Sequence, residues 1–434
     1  MPRNMPEESL CQSSLWMISG QGVAMAAQLL YFVLIGRALG SREYGAFVGV
    51  AALISALSQF SSLGMEMLLV RNVSRDRSSF ACTWGHALLI ASAGFLLLLA
   101  AAMLYAHFAL RPELRPLVPW IALSDGLLGK FIQLAARAFQ GAGRLAWTAR
   151  LTAATCIARA LTAALLAWWT RSHSFHATAV LWARVYWLAT LAVALFALLL
   201  ATIRLGPPRF TRIRRADLSE GLSFSLSSSS ISVYNDIDKT FLVTLGQNYA
   251  AGIYSAAYRV VDAASAPIYA VYAAAAPRFF REGARGVCPA RDFARNTLAR
   301  TLPYSLAVAA ILALGAPLLP AVFGPSFQGS VAALRWLCLL PVPRALHYAW
   351  GSAITASASQ WNRTATQFGA AVLNLCLNLL LIPRWSWRGA AAASLLTDAA
   401  LAAASFFVLT RLIRRESNSP LAPAPTLHNA GWNS

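Results

Sequence analysis

The stretch RLGPPRFTRIRRAD, Arg204 to Asp217, decides how the rest of the chain is read. Five arginines and two prolines so close together do not belong in hydrocarbon, so this is a water-exposed connection. Six long apolar runs precede it, near 13–36, 44–66, 81–106, 117–139, 145–169 and 177–203. Six more follow, near 219–245, 249–276, 299–323, 329–357, 364–383 and 389–411. Each can cross a hydrocarbon core about 30 Å thick. Lipid gives an open strand edge or irregular chain no hydrogen-bonding partner, and the runs are too long for barrel strands, so each is read as a helix. The expected fold is an all-α membrane protein of about twelve transmembrane helices in two six-helix lobes. Its parts are a segment 1–12, an N-lobe 13–203, a linker 204–218, a C-lobe 219–411 and a tail 412–434. The tail holds Pro420, Pro423 and Pro425 with little apolar periodicity and is expected to be disordered.

Composition agrees. The chain is 58% hydrophobic and 12% charged, with mean hydropathy +0.56, against about 25% charged residues in a soluble protein. It begins MPRNMPEESL, which lacks a basic segment leading to a cleavage site, so the first span is expected to be retained. Over the short connections 21 basic residues fall on one side and 7 on the other, the minority being Arg37, Arg42, Arg111, Arg115, Arg171, Arg384 and Arg388. That bias places both termini in the cytoplasm of a multi-pass protein. The net charge of +20 is then largely a loop bias that favours anionic membrane lipids, and nucleic acid is not expected as a partner.

The halves carry a trace of repetition. Leu39-Gly40 is followed by Gly45-Ala46-Phe47, and Leu245-Gly246 by Gly252-Ile253-Tyr254, each time after the first span of its half. A duplicated unit of six spans keeps one orientation, so the copies form a parallel pseudo-repeat about the membrane normal and enclose a cleft.

Eight basic residues lie inside the apolar runs: Lys130, Arg137, Arg159, Arg184, Lys239, Arg259, Arg335 and Arg344. A cation at the centre of a spanning helix costs roughly 2.5–3.5 kcal/mol on insertion scales, so such residues belong at a cavity or a partner. Lys130 and Arg137 are two turns apart on one face. With Arg159 and Arg184 on the next two spans they can neutralise an anion such as a diphosphate, whose oxygens suit the guanidinium fork. Snorkelling of Arg137 and Arg184 to the two surfaces is the other reading. The seventh run is the most hydrophilic, with a polar stretch from Ser223 to Ser232 and then Asp236, Asp238 and Lys239. Asp236 and Lys239, three apart, share a face, while Asp238 points about 200° from Asp236. Asp236–Lys239 and Arg259–Asp262 are either structural ion pairs or sites for a coupling cation, H⁺ or Na⁺, or for the substrate. Asp125, Asp398 and Glu66 are further acids that either titrate or pair with the arginines.

Other features carry less. Six scattered cysteines imply neither a disulfide framework nor a metal site. His173 and His176 fall in a short, solvated loop. Pro267, Pro303, Pro317, Pro341 and Pro343 interrupt later spans and invite kinks. The basic connection from Arg278 to Arg300 has room for a short surface helix. There is no Walker-type glycine loop and no sizeable outer domain, so neither ATP hydrolysis nor other catalysis is expected, and no cofactor.

Particular strings are familiar. Arg37-Ala38-Leu39-Gly40-Ser41-Arg42-Glu43-Tyr44-Gly45-Ala46-Phe47 resembles the R-x-LG-x-x-EYG-x-F signature of polysaccharide-type flippases, and Gly64 with Leu69-Val70-Arg71 resembles the end of their second helix. Asp238-Lys239-Thr240-Phe241-Leu242 with Gly252-Ile253-Tyr254-Ser255-Ala256-Ala257-Tyr258-Arg259 resembles their D-K-x-x-L and G-x-YS-x-AYR segment. Asn374, Asn378, Leu381-Ile382-Pro383 and Gly389-Ala390-Ala391 are similar to their N-x-x-x-N-x-x-LIP…GAA pattern. The likeness spans most of 13–412. It is to Wzx-like lipid-linked oligosaccharide flippases of the multidrug/oligosaccharidyl-lipid/polysaccharide exporter superfamily.

That resemblance implies a MATE-like V-shaped cleft and movement of a polyprenyl-diphosphate-linked glycan across a bacterial inner membrane for O-antigen, capsule or exopolysaccharide synthesis. Expected partners are the lipid-linked oligosaccharide, membrane lipids, and a polysaccharide polymerase with chain-length proteins. Expected substrate contacts are Arg159, Arg184, Lys130, Arg137 and Arg259, with Asp236, Lys239, Asp262 and Asp125 as coupling or ion-pair groups. The alternatives are an ion-coupled exporter of drugs or small molecules, a membrane glycosyltransferase or polymerase, and a scaffold for the synthesis complex.

Overall fold

The structure is a computed structural model that describes residues 10–173, 176–211, 221–222, 225, 234–357 and 360–418. The first two runs form one helical path, α1 (Leu10–Ser61), broken at Gly40, where φ 72° and ψ 169° turn the chain back. After a left-handed turn at Leu63 and Gly64 comes α2 (Met65–Arg75), then α3 (Phe80–Ala109). The fourth crossing is composite: α4 (Leu117–Ile121), a π-helical stretch Ala122–Leu128, and α5 (Gly129–Gly141). Then come α6 (Leu145–Ser172) and α7 (Ala179–Leu205). The described part of the seventh crossing is α8, 234–244; most of the Ser223–Ser232 stretch lies outside the described residues. The C-terminal half continues with α9 (Asn248–Gly283), α10 (Val287–Gly315), α11 (Leu319–Phe323), α12 (Ser330–Leu337), α13 (Pro341–Ala356), α14 (Gln360–Trp385) and α15 (Trp387–Asn418).

Eight stretches among the described residues are long and apolar enough to span a bilayer. One of them, Ser19–Ser61, reverses at Gly40 and makes two crossings. Polar α9 and the interrupted α12–α13 pair lie outside that set. Large apolar side chains turn outward as lipid contact requires, Leu97 being 75% and Phe108 79% exposed.

Some boundaries differ from the sequence reading. The connection from Arg278 to Arg300 holds no separate surface helix. Instead α9 runs on to Gly283 and α10 starts at Val287, and Gly286, at φ 133°, makes the turn. Pro317 and Pro341 fall at helix breaks, whereas Pro267 and Pro303 sit inside α9 and α10. The last helix continues past 411 to Asn418.

Burial defines the shape. One cluster mixes both halves, joining Tyr44, Phe47 and Trp182 to Tyr254, Phe323 and Phe327. Two others are exclusive. Leu68, Trp84 and Phe139 belong to a cluster of the first half alone, and Tyr272, Phe279 and Ala353 to one of the second half alone. The shared cluster lies at the arginine-poor end and the separate ones at the arginine-rich end. The lobes therefore make a V whose apex is at the arginine-poor end.

The apex is built on the repeat. Gly40 and Gly246 both take positive φ, 72° and 73°. Gly45 and Gly252 then meet face to face, as equivalent residues near a pseudo-twofold axis must. A Cβ on Gly45 would collide with the Asn248 carbonyl and lie 2.5 Å from Gly252 N, and a Cβ on Gly252 would collide with the Ser41 carbonyl. Small residues allow this backbone approach between helices in a membrane. Around it the Ser41 N–H donates to Ser326 Oγ at 3.1 Å, Arg37 Nε donates to the Val322 carbonyl at 2.6 Å, and the Tyr105 and Thr244 hydroxyls lie 2.7 Å apart.

Candidate functional site

Two cavities line the arms of the V and join at Arg259 and Asp236. One of about 330 Å³ lies against the N-lobe, and one of about 670 Å³ is set into the C-lobe between α8, α9, α13, α14 and α15. A smaller slot of about 170 Å³ between α1 and α9 also reaches Arg259.

On the N-lobe wall the π-helical stretch carries Asp125. An extra residue in the turn re-aims the side chains that follow, and such bulges are common at functional sites. Here Asp125 Oδ1 accepts from Arg159 Nη2 at 3.0 Å and also from the Tyr186 hydroxyl. The Arg159 guanidinium stands over the Tyr186 ring, 5.0 Å from its centroid, and its Nε is buried without a hydrogen-bond partner. Lys130 is buried and donates to Glu66 Oε1 at 2.9 Å and to Gln133 Oε1 at 3.2 Å.

The C-lobe wall holds a denser network. Lys239, 1% exposed, lies 2.7 Å from Asp236 and 3.6 Å from Asp238, and donates to the Asn235 carbonyl at 2.8 Å. It therefore engages both acids, although they leave the helix in different directions. Asp238 also accepts from the Tyr254 hydroxyl. Arg344 is held by three groups: Asp262 at 2.9 Å, Asp398 at 3.4 Å and the Tyr258 hydroxyl at 2.9 Å. Asp262 thus turns to Arg344 rather than to Arg259, its neighbour in sequence.

Arg259 differs from these. Among the described residues it makes no salt bridge; its guanidinium lies 4.6 Å from the Phe32 ring centroid, and its buried Nε has no hydrogen-bond partner. This half-buried cation at the junction of three cavities has unused donors that can hydrogen-bond to an anion.

The structure thus brings Lys130, Arg159, Arg259, Asp125, Asp236 and Asp262 to connected cavity walls, with Lys239 buried behind them. Arg137 and Arg184 are not among those walls. Arg137 donates to Gln140 at 2.7 Å, and Arg184 stands over Trp120 at 5.7 Å. Arg335 is exposed on α12. Three charged wall residues, Arg344, Asp398 and Arg363, lie outside the expected site. In the sequence Arg344 reads as an interior cation, Asp398 as an isolated acid and Arg363 as part of a basic connection. Spacing carried a signal for some: Arg344, His347 and Tyr348 share one face of a helix, as do Arg363 and Gln367.

A family model described as polysaccharide biosynthesis protein matches residues 10–282, more than half of the chain. No curated protein matches. Solved structures do. An inward-facing multidrug resistance MATE family transporter of the MOP superfamily is 17% identical, with 93% of this chain and 100% of that one covered and a TM-score of 0.71. An outward-facing MATE family transporter gives 17%, 94%, 97% and 0.62. A MOP superfamily transporter from Pyrococcus furiosus, described as having a binding pocket of reverse polarity, gives 16%, 94%, 97% and 0.62. These likenesses establish the MATE-like fold.

Proposed function

The chain belongs to the polysaccharide biosynthesis protein family, and on that premise we propose that it is a flippase. It moves a polyprenyl-diphosphate-linked oligosaccharide from the cytoplasmic to the periplasmic leaflet of a bacterial inner membrane by alternating access. The observation that carries this reading is Arg259, a cation with no salt bridge among the described residues where the N-lobe pocket, the C-lobe cavity and the α1–α9 slot meet. A diphosphate there gains charge-assisted hydrogen bonds in a site of low dielectric, while the lipid chain follows the slot lined by Met25, Leu29 and Phe32. The arginine-rich end is the cytoplasmic one, with both termini on that side. The V then stands open to the leaflet on which the substrate is made. Arg159 and Lys130, already held by Asp125 and Glu66, set the potential of the N-lobe wall, and Asp125, Asp236 and Asp262 are the candidate groups for coupling to H⁺ or Na⁺.

The test is transfer of a labelled polyprenyl-diphosphate-linked sugar across vesicles containing the purified protein. Arg259→Gln is expected to slow it at least tenfold, as loss of a charge-assisted hydrogen bond does, with unchanged thermal unfolding. Transfer at the wild-type rate in that variant removes the site assignment. A cationic dye moved in preference to the lipid-linked sugar replaces the reading by drug export.

A further inference from the structure

The C-lobe cavity is larger than a diphosphate needs, and its charges are unevenly spent. Arg344 is fully engaged by Asp262, Asp398 and Tyr258. Among the described residues two wall arginines make no salt bridge with a carboxylate. Arg259 is one, at the junction with the N-lobe pocket. Arg363 is the other, in the first turn of α14 toward the arginine-rich mouth, where its Nη1 donates to Thr355 Oγ1 at 2.6 Å. Between them lie aromatic faces. Tyr269 is 61% exposed, and its ring is 6.0 Å from that of Tyr348 at 62°. Gln367, one turn beyond Arg363, adds an amide to the same wall.

Aromatic faces among polar side chains suit a sugar ring, whose C–H edges carry partial positive charge and pack on the negative face of the aromatic system. The proposed function already assigns the diphosphate to Arg259. An anion at Arg363 must then be a different group of the same substrate, lying beyond the diphosphate along the glycan.

We propose that the C-lobe cavity is a glycan-binding chamber and that Arg363 selects a sugar bearing a negative charge, such as a hexuronate. This rests on the flippase reading and narrows it to acidic glycans. Arg363 is a specificity group and not an anchor of the lipid.

Two probes in vesicles test it: a polyprenyl diphosphate carrying a neutral hexose, and the same lipid carrying the matching hexuronate. The wild-type protein is expected to move the hexuronate probe about tenfold faster, the worth of one hydrogen bond to a charged group. Arg363→Gln should slow the hexuronate probe about tenfold more than the hexose probe and so bring the two rates together, and Arg363→Lys should keep most of the preference. Equal wild-type rates on the two probes overturn the selection and leave the flippase reading standing. Equal slowing of both probes by Arg363→Gln also overturns it, since it makes Arg363 structural. A folded wild-type protein that moves neither probe overturns the flippase reading itself.

Discussion

Gly252→Ala tests whether the apex of the V is the gate. The new Cβ would lie 2.8 Å from the Ser41 carbonyl carbon, closer still to its oxygen, and 3.3 Å from Gly45 N. All of these are helix backbone, so no side chain can swing away, and the helices must separate. Overpacking of this kind costs about 1–3 kcal/mol. The contact exists only while the apex is closed, so the whole cost falls on that state and shifts the balance toward an open apex by about 5–150-fold. Thr244, hydrogen-bonded to Tyr105 across the lobes, reports the change. With the six native cysteines replaced, Thr244→Cys should react with a membrane-impermeant maleimide from the arginine-poor side faster by that factor in Gly252→Ala than in the parent. Gly45→Ala should act alike, because its Cβ meets the Asn248 carbonyl in the mirrored position, and the double variant should fall short of additivity since both act on one contact. A folded Gly252→Ala protein with an unchanged rate at Thr244→Cys refutes the gate.

Two further outcomes follow from local packing. Lys130→Ala leaves Glu66 as an uncompensated carboxylate of only 12% side-chain exposure and should cost about 3–5 kcal/mol, while adding Glu66→Gln should restore much of it; thermal unfolding in detergent reads both. The interlobe linker crosses α3 at Gly85, where the Arg209 N–H donates to the Ala81 carbonyl at 2.7 Å and a Cβ on Gly85 would strike the Arg209 backbone. Gly85→Val should lift the linker and speed trypsin cleavage at Arg209 several-fold, and an unchanged cleavage rate would sink that reading.

Much of the fold was legible because lipid enforces simple rules. A run of some twenty apolar residues has to be a helix, and the cluster around Arg204–Asp217 has to stay in water, so the number of crossings and the division into halves follow from one dimension. The site was less legible. Asp236 and Lys239 could be paired from their spacing, since one helix sets their distance. Arg344 with Asp262 and Asp398, or Arg159 with Asp125, could not, because those pairs are 82, 54 and 34 residues apart in the chain and are joined only by helix packing. The π-helical turn that aims Asp125 leaves no mark in hydropathy.

The sequence by itself determined a helical membrane protein of two related halves, its basic side, and a set of cations too costly to leave in lipid. Only the tertiary structure decided which cations are neutralised and which are not. It left Arg259 and Arg363 without a carboxylate among the described residues, enclosed Arg344 between two, and put Arg137 and Arg184 away from the cavities. The physical reason is that insertion cost is a property of one helix, whereas charge compensation depends on which faces of different helices come within a few ångströms of each other.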